Sequence, residues 1–198
     1  MLKALINNKY LILIVVFGFA LRIIGINHGF PFIFHPDEPT VVRSALGIRF
    51  YPNPAHFDWP HFYIYFNYFL YMAFAYVRNF LNYELFSFFY NDDWVFYFLT
   101  RVASTIFGTL TIVSTYFLGK SLFNKNVGLF SALALAILPL HVQYSHYSLT
   151  EAPMLFFLTI ALIYCTKIFN QATIFNSEFT LKNSINYLLA GLFIGFSA

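Results

Sequence analysis

Charge is what this chain has least of. Eleven Lys and Arg and eight Asp and Glu make up only 10% of its 198 residues, where a soluble globular domain carries about 25%. A water-soluble fold of this size could not cover its surface with so few. That excludes an ordinary cytosolic enzyme, a disordered tail and a nucleic-acid binder with a basic face. Cysteine is nearly absent too. Cys165 stands alone, so neither an intrachain disulfide nor a cysteine-built metal site can form. There is no Gly-rich phosphate loop, no Gly-x-Ser-x-Gly elbow, no His-Glu-x-x-His and no histidine pair at i, i+4. What is abundant is apolar: 60% of the residues are hydrophobic and 23% aromatic, with 28 Phe and 15 Tyr. The class that remains is an all-α integral membrane protein. The net charge of +3 says little; where the charges fall says more.

A membrane-crossing helix needs about 20 mostly apolar residues. The candidate segments are Leu11–Ile26, Phe62–Val77, Trp94–Leu118, Val127–Val142, Pro153–Ile168 and Ile185–Ala198. The first follows Lys3 and Lys9 as a signal peptide would. Arg22 follows the apolar run and no small-x-small cleavage site appears, so it reads as an uncleaved first span. The last segment is still apolar at Ala198, as expected of the N-terminal portion of a longer protein.

The lysines set the expected topology, because Lys and Arg near span ends concentrate on the cytoplasmic side. If all six segments cross, Lys120 and Lys125 fall on the opposite side from Lys3 and Lys9. If Phe62–Val77 does not cross, all six lysines share the cytoplasmic side. Seven of the eight acids (Asp37, Glu38, Asp58, Glu84, Asp92, Asp93 and Glu151) and all six histidines then lie outside. Five spans are therefore expected, at about 11–26, 94–118, 127–142, 153–168 and 185–198. An outer loop at 27–93 then carries interfacial helices at about 39–50 and 62–77. His61, Tyr63, Tyr65, Asn67, Tyr68 and Tyr71 give the second of these the polar-aromatic make-up of an interface helix.

The most informative stretch is Phe34-His35-Pro36-Asp37-Glu38-Pro39. Pro39 suits a first helical turn, and Val41, Val42, Ala45, Leu46 and Ile48 follow at amphipathic spacing. Asp37 and Glu38 thus fall at a helix N-terminus, where the dipole favours their ionised forms. Such a pair can accept a proton or hold a cation; equally, either acid can simply cap the helix. Glu151 is the only acid on the outer side after the second span. A Ser148-x-x-Glu151 capping box would push Pro153 to the fifth helical position, where its missing N–H loses a bond; capping by Thr150 avoids that and frees Glu151. Arg101 lies about seven residues into its span, roughly 10 Å deep. It is either a functional intramembrane charge or a snorkelling one. Arg22, four residues from its span end, reads as snorkelling. Arg43 is within reach of a phosphate or faces solvent. His35-x-Asp37-Glu38 could contribute to a metal site, whereas His56, His61, His141 and His146 read as hydrogen-bonding loop residues.

Taken in order, these pieces resemble the polytopic GT-C glycosyltransferases, specifically the protein mannosyltransferase-like group (glycosyltransferase family 39 and bacterial relatives). The resemblance is carried by Ala20-Leu21-Arg22, then Phe34-His35-Pro36-Asp37-Glu38, then Asn53-Pro54-Ala55-His56-Phe57-Asp58-Trp59-Pro60. It continues through Arg101-Val102-Ala103-Ser104-Thr105-Ile106-Phe107-Gly108, Tyr116-Phe117-Leu118-Gly119-Lys120 and Pro139-Leu140-His141-Val142 to Glu151. It implies a GT-C helix bundle whose first outer loop has two helices lying along the membrane. It also implies a catalytic Asp-Glu pair, with the aspartate matching Asp37. Glu151 matches a second acidic position where many relatives have aspartate, and Arg101 matches an arginine of the second span.

The function that follows is transfer of a sugar from a polyprenyl-phosphate donor to an acceptor hydroxyl, on the outer face of the plasma (inner) membrane. Asp37 is the expected general base of an inverting displacement, with Glu38 as its catalytic neighbour. Glu151, Arg101, Arg43 and His35 are the expected substrate contacts. A divalent cation shared by Asp37, Glu38 and Glu151 stays open. The expected partners are the lipid-linked donor and the membrane itself, without nucleic acid. A multi-span transporter or a non-catalytic scaffold is the alternative; the transporter would place its charges mid-span.

Overall fold

The computed structural model describes residues 8–54, 58–80, 94–174 and 181–198. Lys3, His56, Glu84, Asp92 and Asp93 lie outside them. Within the described residues the chain has eight helices and no strand. They are α1 (Lys9–Ile23), α2 (Glu38–Gly47), α3 (His61–Phe80), α4 (Trp94–Leu122), α5 (Lys125–Ile137), α6 (Pro139–Tyr144), α7 (Glu151–Ile174) and α8 (Leu181–Ser197).

Among these, α4 and α7 are long and apolar enough to cross a membrane, and α5 and α8 are shorter apolar helices. At 20 residues, α3 is long enough, but its tyrosines and Asn67 keep it out of that apolar set. The 29 residues of α4 extend about 43 Å at 1.5 Å per residue, well beyond the roughly 30 Å of a hydrocarbon core.

The central helix is α4. Its buried positions include Thr100, Ser104, Thr105, Gly108, Thr111 and Ser114, the small and hydroxyl-bearing residues that let apolar helices approach closely. It forms a hairpin with α5. Asn124 starts α5, its Oδ1 accepting from the N–H groups of Asn126 (3.0 Å) and Val127 (3.1 Å). At the hairpin's waist the two backbones nearly touch: a Cβ on Gly128 would sit 2.6 Å from the Tyr116 carbonyl oxygen. α1 closes this layer, packing Leu11 against Ile112, Tyr116, Ala132 and Ala136. On the other side α7 joins α4 through Ser114 and Thr159, whose hydroxyls are 2.6 Å apart. Phe193 and Phe196 of α8 then pack on Phe157 of α7.

α2 and α3 cover the N-terminal part of α4. α2 buries Glu38, Val41, Val42 and Ala45, the i, i+3, i+4, i+7 stripe of an amphipathic helix. α3 places the Tyr63 hydroxyl on the Thr100 carbonyl (2.9 Å) and the Ser104 hydroxyl (2.8 Å), and the Tyr71 hydroxyl on that of Thr100.

Two features depart from the expectation drawn from sequence. The segment expected to run as one helix to Val142 is broken, because α5 stops at Ile137 and the short α6 restarts at Pro139. Proline disfavours helical backbone in the residue before it and removes a donor, and Leu138 is accordingly extended (ψ 114°). The second departure is Arg22. It does not snorkel: it is fully buried and donates to the carbonyls of Gly18 (2.8 Å), Ala136 (3.0 Å) and Leu135 (3.1 Å) and to Nδ1 of His141 (2.8 Å). The break at Pro139 explains this, since the last carbonyls of α5 have lost their helical donors and the guanidinium fork supplies replacements. As Arg22 only donates, Nδ1 of His141 is the acceptor in that bond.

Candidate functional site

The two adjacent acids of the Pro36-Asp37-Glu38-Pro39 turn have opposite fates. Asp37 stands at the N-cap position of α2, yet its side chain makes no capping bond. It is exposed, and among the described residues its carboxylate has no hydrogen-bond or ion-pair partner. Its N–H donates to Nδ1 of His35 (3.3 Å). Glu38, one residue on, belongs to the buried stripe of α2 and has no exposed surface.

Glu38 is fully engaged. Oε1 accepts from Nε of Arg101 (2.7 Å) and from the N–H of Ser148 (2.7 Å), and Oε2 accepts from Nη2 of Arg101 (2.7 Å). This is the two-pronged geometry in which a guanidinium matches a carboxylate best. Arg101, 2% exposed, spends Nη1 on the carbonyls of Ile26 (3.0 Å) and His28 (2.7 Å). Its guanidinium also lies over the Phe30 ring at 4.4 Å and nearer the edge of reach of Tyr147, at 5.8 Å. Five N–H donors are available on a guanidinium; the two carbonyls and the carboxylate occupy four.

These partners place Arg101 along the bundle. Ile26 and His28 lie beyond the end of α1, and Ser148 lies before the start of α7. Arg101 is therefore level with the ends of its neighbours, where the long α4 outreaches them, and protein shields it. The Glu38–Ser148 bond also brings the start of α2 to the loop that leads into α7. Ser148 is three residues from Glu151, and three residues span at most about 10–11 Å. Asp37 and Glu151 thus lie at the same end of the bundle.

Glu151 is the first residue of α7. Ser148 does not cap that helix, since its N–H goes to Glu38 and its hydroxyl donates to the Tyr97 carbonyl (3.0 Å). Thr150 occupies the position before the helix, and its carbonyl accepts the first helical bond, from Met154 (2.9 Å). Pro153 is left in the first turn, where a missing donor costs nothing. One carboxylate oxygen of Glu151, Oε2, is buried without a partner.

A cleft of about 550 Å³ opens beside Arg101. Leu21, Ile137, Pro139 and Val142 make its walls apolar, and Arg101, His28, Gln143, His146 and Tyr147 give it a polar end. Tyr147 also packs against His35, the rings tilted by 45° with centroids 4.6 Å apart, so one ring is shared by the cleft and by the turn that carries Asp37. His146 bridges the Ile24 carbonyl (2.9 Å) and the Val142 carbonyl (2.8 Å). Arg43 is not part of this cluster. It is exposed on α2, off the buried stripe.

The structure thus brings together Glu38, Arg101, His35 and the approaches to Asp37 and Glu151. It adds His28, Phe30 and Tyr147, which carry no motif, and Ser148, which the sequence offers only as a possible cap for the helix that starts at Glu151. No three His, Cys, Asp or Glu side chains gather into a group that could hold a metal ion among the described residues. Glu38 has both oxygens engaged by Arg101 and Ser148, so it is not free to join Asp37 and Glu151 around a cation.

No curated protein and no solved structure matches the chain. A family model does: that of dolichyl-phosphate-mannose-protein mannosyltransferase, over residues 66–198. That stretch contains Arg101, Tyr147, Ser148 and Glu151 and stops short of Asp37 and Glu38. With two thirds of its length matched and a clamped arginine at the mouth of an apolar cleft, the chain belongs to the dolichyl-phosphate-mannose-protein mannosyltransferase family of GT-C membrane glycosyltransferases.

Proposed function

We propose that this protein transfers a sugar from a polyprenyl-phosphate donor to an acceptor hydroxyl with inversion, and that Asp37 is the general base. The observation that carries this reading is the division of labour between neighbours. Glu38 is buried and committed to Arg101, whereas Asp37 at the same helix start is exposed and uncommitted. A general base needs a carboxylate that a substrate hydroxyl can reach.

In the proposed step the acceptor O–H proton passes to Asp37 as its oxygen bonds to C1 of the sugar. The bond from C1 to the phosphate oxygen breaks with its electron pair, leaving a polyprenyl phosphate. That leaving group is already anionic and needs no strong acid. The developing charge meets Arg101, whose position is fixed before the reaction by Glu38 and two carbonyls. The apolar walls of the cleft suit the first part of the lipid chain, and Tyr147 and His35 line the way from the cleft to Asp37. Glu151, with its unpartnered oxygen, orients sugar or acceptor hydroxyls. Arg43 has no part in this step.

The active end is proposed to face the outside of the plasma membrane, with α2 and α3 lying along the interface and five segments crossing. Lys120 and Lys125 support this orientation. They lie at the α4–α5 turn, and Lys120 is 19 residues beyond Arg101, about 28 Å along the helix, as cytoplasmic lysines should.

The test is Asp37→Asn in the protein as it occurs in membranes, assayed for sugar transfer and for donor binding. Loss of turnover with donor binding retained is the expected result. Normal turnover would remove Asp37 from the mechanism.

A further inference from the structure

A second groove lies between α2 and α3, away from the cleft. It measures about 330 Å³ and is walled by Leu46, Tyr68, Met72, Ala75 and Phe96, with Arg49 contributing the one charge. That volume is at the small end for a ligand site, about 300–1,000 Å³, and suits one chain of a lipid rather than a whole molecule. Phe96 is the third residue of α4, so the groove sits at the same end of the bundle as Arg101. Arg49 lies 11 residues beyond Glu38, about 16 Å at helical rise, which separates the two sites.

Arg49 is exposed and has no ion-pair partner among the described residues. Its guanidinium lies 5.9 Å from the Phe50 ring centroid. Around it Phe50, Tyr51 and Met72 are 74%, 77% and 51% exposed. In a membrane protein such a rim contacts lipid, and a lone cation set in aromatic surface at a helix-bundle end is placed at headgroup level. Of the two tyrosines in the lining, Tyr71 has its hydroxyl committed to Thr100, which leaves the Tyr68 hydroxyl as the polar atom of an otherwise apolar wall. An apolar slot of single-chain width with an unpaired guanidinium at its edge is complementary to one molecule class already at hand in the bilayer.

We infer that the α2–α3 groove seats one acyl chain of an anionic phospholipid, with the phosphate held by Arg49. The site anchors the α2–α3 layer to the leaflet and is separate from the donor cleft.

The test uses the purified protein in nanodiscs of mixed phosphatidylglycerol and phosphatidylcholine, with retained lipid read by native mass spectrometry. The wild type is expected to keep phosphatidylglycerol in preference by about fivefold, the effect of one cation near an anionic surface. Arg49→Gln abolishes the preference, Arg49→Lys keeps most of it, and Ala75→Trp, which fills the groove, lowers retention of both lipids. Melting temperatures check the fold of each variant; should Ala75→Trp not fold, the Arg49 pair decides. Equal retention of the two lipids by the wild type, a preference that survives Arg49→Gln, or polyprenyl phosphate as the species lost in Arg49→Gln would each overturn the inference.

Discussion

Replacing Glu38 by Gln separates a positioning carboxylate from a reacting one. The change keeps size and shape and removes the charge. In the wild type Glu38 accepts two bonds from Arg101 and one from Ser148, each 2.7 Å. In the variant the amide oxygen can still serve Nε of Arg101 and the Ser148 N–H, but the amide nitrogen faces Nη2, donor against donor. The guanidinium then stays buried with two carbonyls and no anion. Both partners are essentially unexposed, at 2% and 0%, so solvent screening offers no relief. Removing one member of a buried pair costs about 3–5 kcal/mol. For a chain of this length that is a fall of about 6–20 °C in melting temperature.

The assay is thermal unfolding in detergent followed by tryptophan fluorescence. Trp94 is a suitable reporter, because its ring packs 5.3 Å from Phe30, the ring that Arg101 covers. Glu38→Gln/Arg101→Met should recover much of the lost stability, because no buried charge is left unpaired, while remaining inactive. A Glu38→Gln protein that melts with the wild type yet does not turn over would refute the reasoning, since that is the behaviour of a carboxylate that reacts rather than holds.

Three further outcomes follow from the packing. Gly108→Val should destabilise by about 1–3 kcal/mol through overpacking, because a Cβ there collides with the Ser145 hydroxyl and approaches Arg22 Nε to 3.4 Å; an added Ser145→Gly should restore part of the loss, and an unchanged melting curve would contradict the close approach. Arg22→Lys keeps the charge but not the fork that reaches three carbonyls and His141, and should cost about 1.5–3 kcal/mol in the same melt; wild-type stability would show that the α5 break needs no such cap. Tyr147→Leu removes the ring beside Arg101 and His35 and should raise the donor KM about 2–10-fold with little change in kcat; steady-state kinetics with an unaltered KM would take Tyr147 out of the donor cleft.

Much of this protein is determined locally. Nineteen charges in 198 residues force the chain into the membrane wherever its helices go. Pro39 and the spacing of Val41, Val42 and Ala45 specify where α2 starts and which face it buries, because proline and a 3.6-residue period act within a turn or two. Asp37 and Glu38 at that start, and Arg101 as an anomalous charge, are legible for the same reason. Which acid is buried follows from the same spacing, since Glu38 completes the stripe of Val41, Val42 and Ala45; what it meets there is not legible. Asp37 and Glu38 are neighbours with the same chemistry, and a rotation of 100° along the helix decides that one meets water and the other meets Arg101.

Arg101 is 63 positions from Glu38, and Ser148 is 110 positions from it. No local pattern encodes a pairing at that range. It exists because burying a guanidinium is tolerable only where a carboxylate and carbonyls from other segments converge on it. Arg22 teaches the same point. Its position near a span end suggests snorkelling, and only the break that Pro139 makes in α5, packed alongside, leaves the Leu135 and Ala136 carbonyls short of donors and draws it inward.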